Sequence, residues 1–226
     1  MKTNIENFTG KAEAYARGRP GYPKASIETI VGLAPMGAAF ADIGAGTGKF
    51  TAMIAEHGCP LFAVEPNADM RRQLTIALAP FPNARIVDGT AEATTLPEHS
   101  VGVVTVAHAL HWFGLDAFRA ECRRVVRPGG LVIAIYNHLP GGKLTDRYKR
   151  TIDAFFTKPT TWEFPNPLEY RRDDWLAYMA SLDDHPLPND PGYDAHVTGL
   201  NLAFDRDSVG GILRCDRVTM VYSEVL

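Results

Sequence analysis

The stretch Asp42-Ile43-Gly44-Ala45-Gly46-Thr47-Gly48 decides the fold of this 226-residue chain. It follows an apolar run, Ala38 to Ile43, that reads as a buried strand. It precedes Lys49 to His57, where Phe50, Met53 and Ile54 fall at helical spacing and the pattern stops at Gly58. A glycine turn between a buried strand and an amphipathic helix is where a nucleotide-type ligand meets an open α/β sheet, because glycine allows tight turning and close backbone approach.

The same alternation continues outward. Leu61 to Glu65 predicts a second strand, and Asn67 an N-cap for a helix with Met70, Leu74 and Leu78 on one side, ended by Pro80. Ala84 to Asp88 and Val101 to Ala107 read as further strands, the latter valine-rich without polar alternation, as a strand covered on both faces should be. A helix from Asp116 to about Val126, with Phe118, Cys122 and Val125 inward, ends at Arg127-Pro128-Gly129-Gly130, and Leu131 to Tyr136 is a fifth strand. Strands alternating with helices imply right-handed crossovers, hence an α/β, doubly wound, mainly parallel sheet. Beyond Asn137 the pattern predicts a helix over 143–157, then a lid rich in proline and aromatics over 158–191. Two more strands are predicted, Val197 to Asp205 and an antiparallel Val218 to Val225.

Three ligand types compete for the glycine loop. A phosphate-cradling P-loop needs glycine where Ile43 stands and serine or threonine where Phe50 stands. A dinucleotide fingerprint needs a third glycine at position 49, which is Lys49, leaving a nicotinamide-dependent oxidoreductase as the weaker alternative. A ligand without phosphates but with an amino acid portion suits the remaining pattern. Asp42 can meet its ammonium, and Glu65, 23 residues on at the end of the second strand, can accept both hydroxyls of a ribose.

The bulk figures fit an ordinary soluble globular protein: 46% hydrophobic, 22% charged, net charge −3. That balance gives no footprint for nucleic acid or an anionic membrane. Cys59, Cys122 and Cys215 have no metal-like spacing, so neither a disulfide framework nor a metal is expected, and a cytoplasmic location fits. Met1 to Glu6 lacks an apolar signal core, and no run approaches a membrane span. A monomer or homodimer is expected.

At this point the sequence resembles the class I S-adenosylmethionine-dependent methyltransferases, from about Phe8 to Asn137. The likeness rests on Ala41 to Gly48, Val64-Glu65-Pro66-Asn67 with Met70, and Gly89-Thr90-Ala91-Glu92 with Leu96-Pro97. Ala107-His108-Ala109-Leu110-His111-Trp112-Phe113 and Arg127 to Gly130 complete it. Phe8 to Pro23, with Tyr15 and Arg19-Pro20, is similar to the small-molecule branch that includes ubiquinone/menaquinone-type and trans-aconitate-type enzymes. The resemblance implies a Rossmann-like seven-stranded sheet with an antiparallel C-terminal strand, in one domain over 1–226. Within it would lie an N-terminal cofactor lid (1–23), a cofactor-binding core (24–137), a substrate lid (138–198) and closing strands (199–226).

It also implies roles. The backbone around Gly44, Ala45, Gly46 and Gly48 should lie against the methionine portion, with Asp42 near its amino group. Glu65 should hold the ribose, Pro66 and Met70 should wall the adenine, and Thr90-Ala91-Glu92 should meet its edge through the Ala91 N–H. Ala107 and His108 should line the methionine side, and Tyr15 and Arg19 should close over the cofactor. His111 is the candidate general base, with packing around the pocket as the alternative; Trp112 and His138 are candidate substrate contacts. The expected activity is methyl transfer from S-adenosylmethionine to a small molecule; a cofactor-binding sensor without catalysis is the alternative from another class.

Overall fold

The computed structural model describes residues 9–139, 146–182 and 185–226. In chain order the elements are α1 (Ala12–Gly18), α2 (Lys24–Leu33), β1 (Phe40–Ile43), α3 (Lys49–Ala55), β2 (Leu61–Val64), α4 (Ala68–Leu78), β3 (Ala84–Val87) and β4 (Val101–Ala107). There follow α5 (Leu115–Val125), β5 (Val126–His138), α6 (Asp146–Phe155), β6 (Thr160–Pro165), β7 (Leu168–Tyr170), α7 (Arg172–Ala180), α8 (Tyr193–Asp207), β8 (Leu213–Cys215) and β9 (Val218–Val225). Phe8 and residues 143–145, which the sequence assigned to the N-terminal lid and to the start of the sixth helix, lie outside the described residues.

The apolar runs pair side by side into one seven-stranded sheet of order β3-β2-β1-β4-β5-β9-β6. The first five of these pair in parallel, and β9 runs antiparallel to both β5 and β6. All four residues of β1 are buried, as are the first six of β4, so the two central strands are the ones without polar alternation. Between β1 and β4 the strand order reverses. The loops leaving these strands therefore diverge and open a crevice at the carboxyl ends of the sheet.

Helices cover both faces. On one, Phe118, Cys122 and Val125 of α5 and Ile152 and Phe155 of α6 pack on Val104, Val106 and Tyr136. On the other, Ile27 and Ile30 of α2 and Phe50 and Ile54 of α3 pack on Phe40, Val103 and Ile133. Asn67 caps α4, its Oδ1 accepting from the N–H groups of Asp69 and Met70, while Met70, Leu74 and Leu78 form the buried stripe. Each such buried side chain contributes about 1.5–3 kcal/mol. Arg127 to Gly130 bulge out of β5: Val126 pairs with Val101 before Leu131 resumes against Val103.

The structure corrects one element. Val197 to Asp205 is not a strand but the middle of α8, because Val197, Leu200, Asn201 and Phe204 are spaced at i, i+3, i+4 and i+7, with Phe204 buried. The seventh strand comes instead from β6, within the expected lid, where Thr160 to Pro165 extend the sheet beyond β9. The rest of the cap consists of the β7–β8 pair, α7 and α8, which share a small core of Tyr170, Phe204 and Leu213. No helix among the described residues is long and apolar enough to cross a membrane.

Candidate functional site

The glycine loop sits at the crevice, and its backbone is already spoken for. Gly44 and Ala45 donate N–H to Val64 O, Gly48 donates to Ala45 O, and Gly46 donates to Glu65 Oε2 at 2.9 Å. With these N–H groups used, Gly44, Ala45, Gly46 and Gly48 have none left to cradle a pyrophosphate. Gly44 has φ +71, and a Cβ there would lie 2.8 Å from Ala109 Cβ; a side chain would wedge the loop away from the turn after β4. Gly48, also left-handed at φ +85, faces Leu74 and Ala77 of α4 and lies outside the cavity lining. Its service is to the α3–α4 contact.

Two adjoining compartments open over the loop, sharing Tyr15, Gly44, Gly46, Ala107 and His108. The first, about 750 Å³ including its mouth, is lined by Glu65, Pro66, Asn67 and Met70 after β2 and by Thr90, Ala91 and Glu92 after β3. Ala109, Trp112 and Phe113 after β4 complete it. Glu65 is only 7% exposed. Its Oε1 accepts the Asn67 N–H at 2.8 Å and its Oε2 the Gly46 N–H, which fixes the carboxylate while leaving acceptor capacity on each oxygen. Burial pushes its pKa up, partly offset by these two donors. The turn after β3 closes through Thr90 N–H to Ala93 O and Ala93 N–H to Thr90 O, which leaves the Ala91 N–H unused within it. Glu92 Oε1 accepts the Gly114 N–H at 2.8 Å, tying that turn to the start of α5.

The second compartment is lined by Arg19, Pro20 and Tyr22 from the N-terminal segment, and by Ala45, Thr47, Lys49 and Phe50 of the loop and α3. Asn137, Tyr178 and Arg217 come from later in the chain. Arg19 lies over the Tyr15 ring, 4.6 Å from its centroid, and donates Nη2 to Ser181 O, while its Nε is buried without a partner. Lys49 donates to Arg19 O, holding the segment down; its burial lowers its pKa.

His108 stands between the compartments with φ +53, a conformation costing roughly 1 kcal/mol for a residue with a Cβ. Its Nε2 accepts the Asn137 N–H at 2.6 Å, so the ring is neutral with its proton on Nδ1. Burial, reinforced by Arg19 and the neighbouring histidines, holds its pKa well below the usual imidazole value.

Of the residues expected from sequence, four lie elsewhere. Asp42 is fully buried: Thr51 Oγ1 donates to its Oδ2 at 2.5 Å and Thr105 Oγ1 to its Oδ1 at 3.1 Å, so its carboxylate does not face the cavity. Burial pushes its pKa up to about 6. Gly48 packs on α4, as above. His111 lines neither compartment; it packs on Tyr148, 4.4 Å between ring centroids, and on Trp112. His138 is buried and stacked on Tyr136, and burial lowers its pKa to about 4. The remaining expected residues all line one compartment or both.

Sequence reasoning did not assign Tyr22, Lys49, Asn137 or Arg217 to the cavity, whereas Tyr178, a candidate pocket wall by sequence, does line it. For Arg217 a signal existed. It immediately precedes β9, and an antiparallel strand begins beside the carboxyl end of its parallel neighbour, here with Val218 opposite His138.

A methyltransferase domain model matches residues 41–134. An uncharacterized methyltransferase of Mycobacterium tuberculosis is 39% identical over 133 residues, covering 58% of this chain and 52% of that protein. An uncharacterized methyltransferase-like protein of Schizosaccharomyces pombe is 28% identical over 173 residues, covering 72% of this chain and 66% of that one. Among solved structures, a protein of Anaeromyxobacter dehalogenans provisionally named a type II methyltransferase superposes with a TM-score of 0.62. It is 25% identical, with 92% of this chain and 97% of that chain covered. The chain thus spans about half the length of the mycobacterial relative. The matched segment holds the glycine loop, Glu65, the turn after β3 and the β4 end, so this part of the chain is similar to a methyltransferase domain.

Proposed function

We propose that this chain transfers a methyl group from S-adenosylmethionine to a small-molecule acceptor, leaving S-adenosylhomocysteine. The observation that carries the reading is the pairing of a loop whose glycine N–H groups are spent internally with a fixed carboxylate, Glu65, facing the first compartment. Such a site suits ribose hydroxyls better than a pyrophosphate.

In this reading Pro66, Met70 and Phe113 sandwich the adenine, and the Ala91 N–H, flanked by Thr90 and Glu92, meets its edge. Gly44, Ala45, Gly46, Ala107 and His108 bracket the methionine portion; Arg19 receives its carboxylate through the unpaired Nε, and Tyr15 closes over it. Asp42 contributes its charge from beneath the loop rather than by contact. Residues 1–23 and the cap between 138 and 198 act as lids, and Trp112 faces the acceptor.

The bound sulfonium would supply an already activated methyl group. The chain's own work is then to align the acceptor and exclude water, which contributes ~7–11 kcal/mol in well-oriented reactions. His111 lies off the cavity and His108 Nε2 is occupied, so the lining presents no free imidazole base. An acceptor ionised in solution needs none.

Calorimetry with S-adenosylmethionine, S-adenosylhomocysteine and NAD tests the reading. Binding of both methionine derivatives and not NAD is expected; NAD binding alone would make the chain an oxidoreductase.

A further inference from the structure

The segment Arg19-Pro20-Gly21-Tyr22-Pro23 contains two prolines, which have no N–H to donate. It cannot hold itself by a regular ladder, and side chains reach its carbonyls instead. Lys49 donates to Arg19 O, and Gly21 O accepts two carboxamide donors, Asn137 Nδ2 at 3.1 Å and Asn166 Nδ2 at 3.2 Å. Arg19, Pro20 and Tyr22, on either side of Gly21, line the second compartment and not the first.

Asn166 lines neither compartment. It stands between Pro165 and Pro167, just past the end of β6, and is only 8% exposed. The proline after it favours an extended backbone, and from there it reaches three other segments. Its N–H donates to Arg217 O at 2.8 Å, ahead of β9. Its Nδ2 also reaches Thr219 Oγ1 in β9, at 3.1 Å, and Asn137 Oδ1 near the end of β5, at 3.2 Å. Two N–H groups thus serve three acceptors, and the carboxamide has no donor to spare. The fully buried Thr219 hydroxyl donates to Asn137 Oδ1 at 2.6 Å, which turns the Asn137 Nδ2 toward Gly21. The Asn137 N–H in turn holds His108 Nε2. Walls supplied by the N-terminal segment, the end of β5 and the start of β9 therefore meet at one side chain outside the cavity.

We propose that Asn166 is a positioning residue for the amino acid portion of the cofactor, fixing Arg19, Tyr22 and Asn137 from behind. This rests on the methyltransferase reading, in which that portion occupies the second compartment and the nucleoside the first. Loss of the Asn166 carboxamide leaves Thr219 Oγ1 and Asn137 Oδ1 short of a donor and Gly21 O with one instead of two. Arg19 and Tyr22 are then free to shift with Gly21. Glu65 is held by Gly46 and Asn67 instead, so the nucleoside half keeps its grip.

The test compares the wild-type chain and Asn166→Ala by calorimetry with S-adenosylhomocysteine and with methylthioadenosine, the nucleoside without the amino acid. S-adenosylhomocysteine is expected to bind the variant about tenfold more weakly. Methylthioadenosine is expected to stay within about twofold of the wild type, which also shows that the variant is folded. A residue that merely stabilised the fold would move both affinities together or neither, and either result overturns the proposal, as does a larger loss for methylthioadenosine. Should Asn166→Ala fail to fold, Thr219→Val decides, since it keeps the branched side chain and the backbone bonds of β9 while removing the hydroxyl that orients both carboxamides. It is expected to weaken S-adenosylhomocysteine about threefold and leave methylthioadenosine unchanged; no selective loss there overturns the proposal. A wild-type chain that fails to bind S-adenosylhomocysteine would instead sink the methyltransferase reading.

Discussion

The two compartments of the cleft are built in different ways. Apart from Tyr15, the first draws its walls from one run of chain, Gly44 to Phe113, in the segments that follow β1, β2, β3 and β4. The second is assembled from Tyr15 to Tyr22, Lys49, Asn137, Tyr178 and Arg217, segments that meet only because the termini and the cap fold over the sheet. In the first, site and core are the same structure, so damage there should cost both affinity and stability. In the second, much of the lining comes from the N-terminal segment and the cap, outside the central sheet, so changes to its side chains should alter binding more than stability.

The largest expected effect falls on the first compartment. Glu65→Ala removes the proposed ribose acceptor and frees the N–H groups of Gly46 and Asn67. Affinity for S-adenosylhomocysteine is expected to fall by about 2–4 kcal/mol, roughly thirtyfold or more by calorimetry. An unchanged affinity would separate Glu65 from the ligand.

Next comes Glu121, which braces the same wall. It is buried in α5, accepts the N–H and hydroxyl of Thr94 below the Ala91 turn, and pairs with Arg124 through two N–H donors. Arg124 and Thr94 hold its pKa down to about 2. Because the folded value is depressed, this stabilisation is present above the ordinary glutamate range and lost as pH falls toward 2. Glu121→Gln is expected to cost about 2 kcal/mol in urea denaturation at pH 7 and much less at pH 3. Equal losses at both pH values would contradict the charge-based account.

Asp42 lies under the loop both compartments share. Its pKa is raised to about 6, so the folded state holds a proton that the unfolded chain releases near pH 4. Stability therefore falls as pH rises from about 4 through 6. Asp42→Asn is expected to flatten that fall and gain on the order of 1 kcal/mol at pH 7. A slope that persists in the variant would assign the pH dependence to another group.

The smallest effect belongs to the second compartment's lid. Arg17 pairs with Asp173 and Asp174 across α1 and α7, but all three side chains are about half exposed or more. Arg17→Ala should change stability by less than about 0.5 kcal/mol in the same denaturation assay. A loss as large as that of Glu121→Gln would erase the contrast between the two sides.

The same contrast explains what was legible in the sequence. Strand ends and the glycine loop are local patterns, so β1 to β5, the α4 cap, the loop and Glu65 could be read directly, while Pro66, Met70, Thr90 to Glu92, Ala107 and His108 followed only from the family resemblance. The second compartment depends on long-range docking. Arg217 reads as an ordinary charged residue until β9 is known to start beside the end of β5. Asp42 misled for a physical reason: its position before the glycines is local, but the direction of its carboxylate is set by Thr51 and Thr105, the latter 63 residues away. In α8, one strongly buried residue, Phe204, gives too weak a helical stripe to outweigh the β-branched and apolar residues around it.

The central claim is that Glu65 holds a ribose. Its most direct test is parallel calorimetry of the wild-type chain and Glu65→Ala with S-adenosylhomocysteine and with methylthioadenosine, which keeps the nucleoside and lacks the amino acid. Both ligands are expected to bind the wild type and to lose affinity in the variant by the same factor. A loss confined to S-adenosylhomocysteine would place Glu65 against the amino acid and contradict the account.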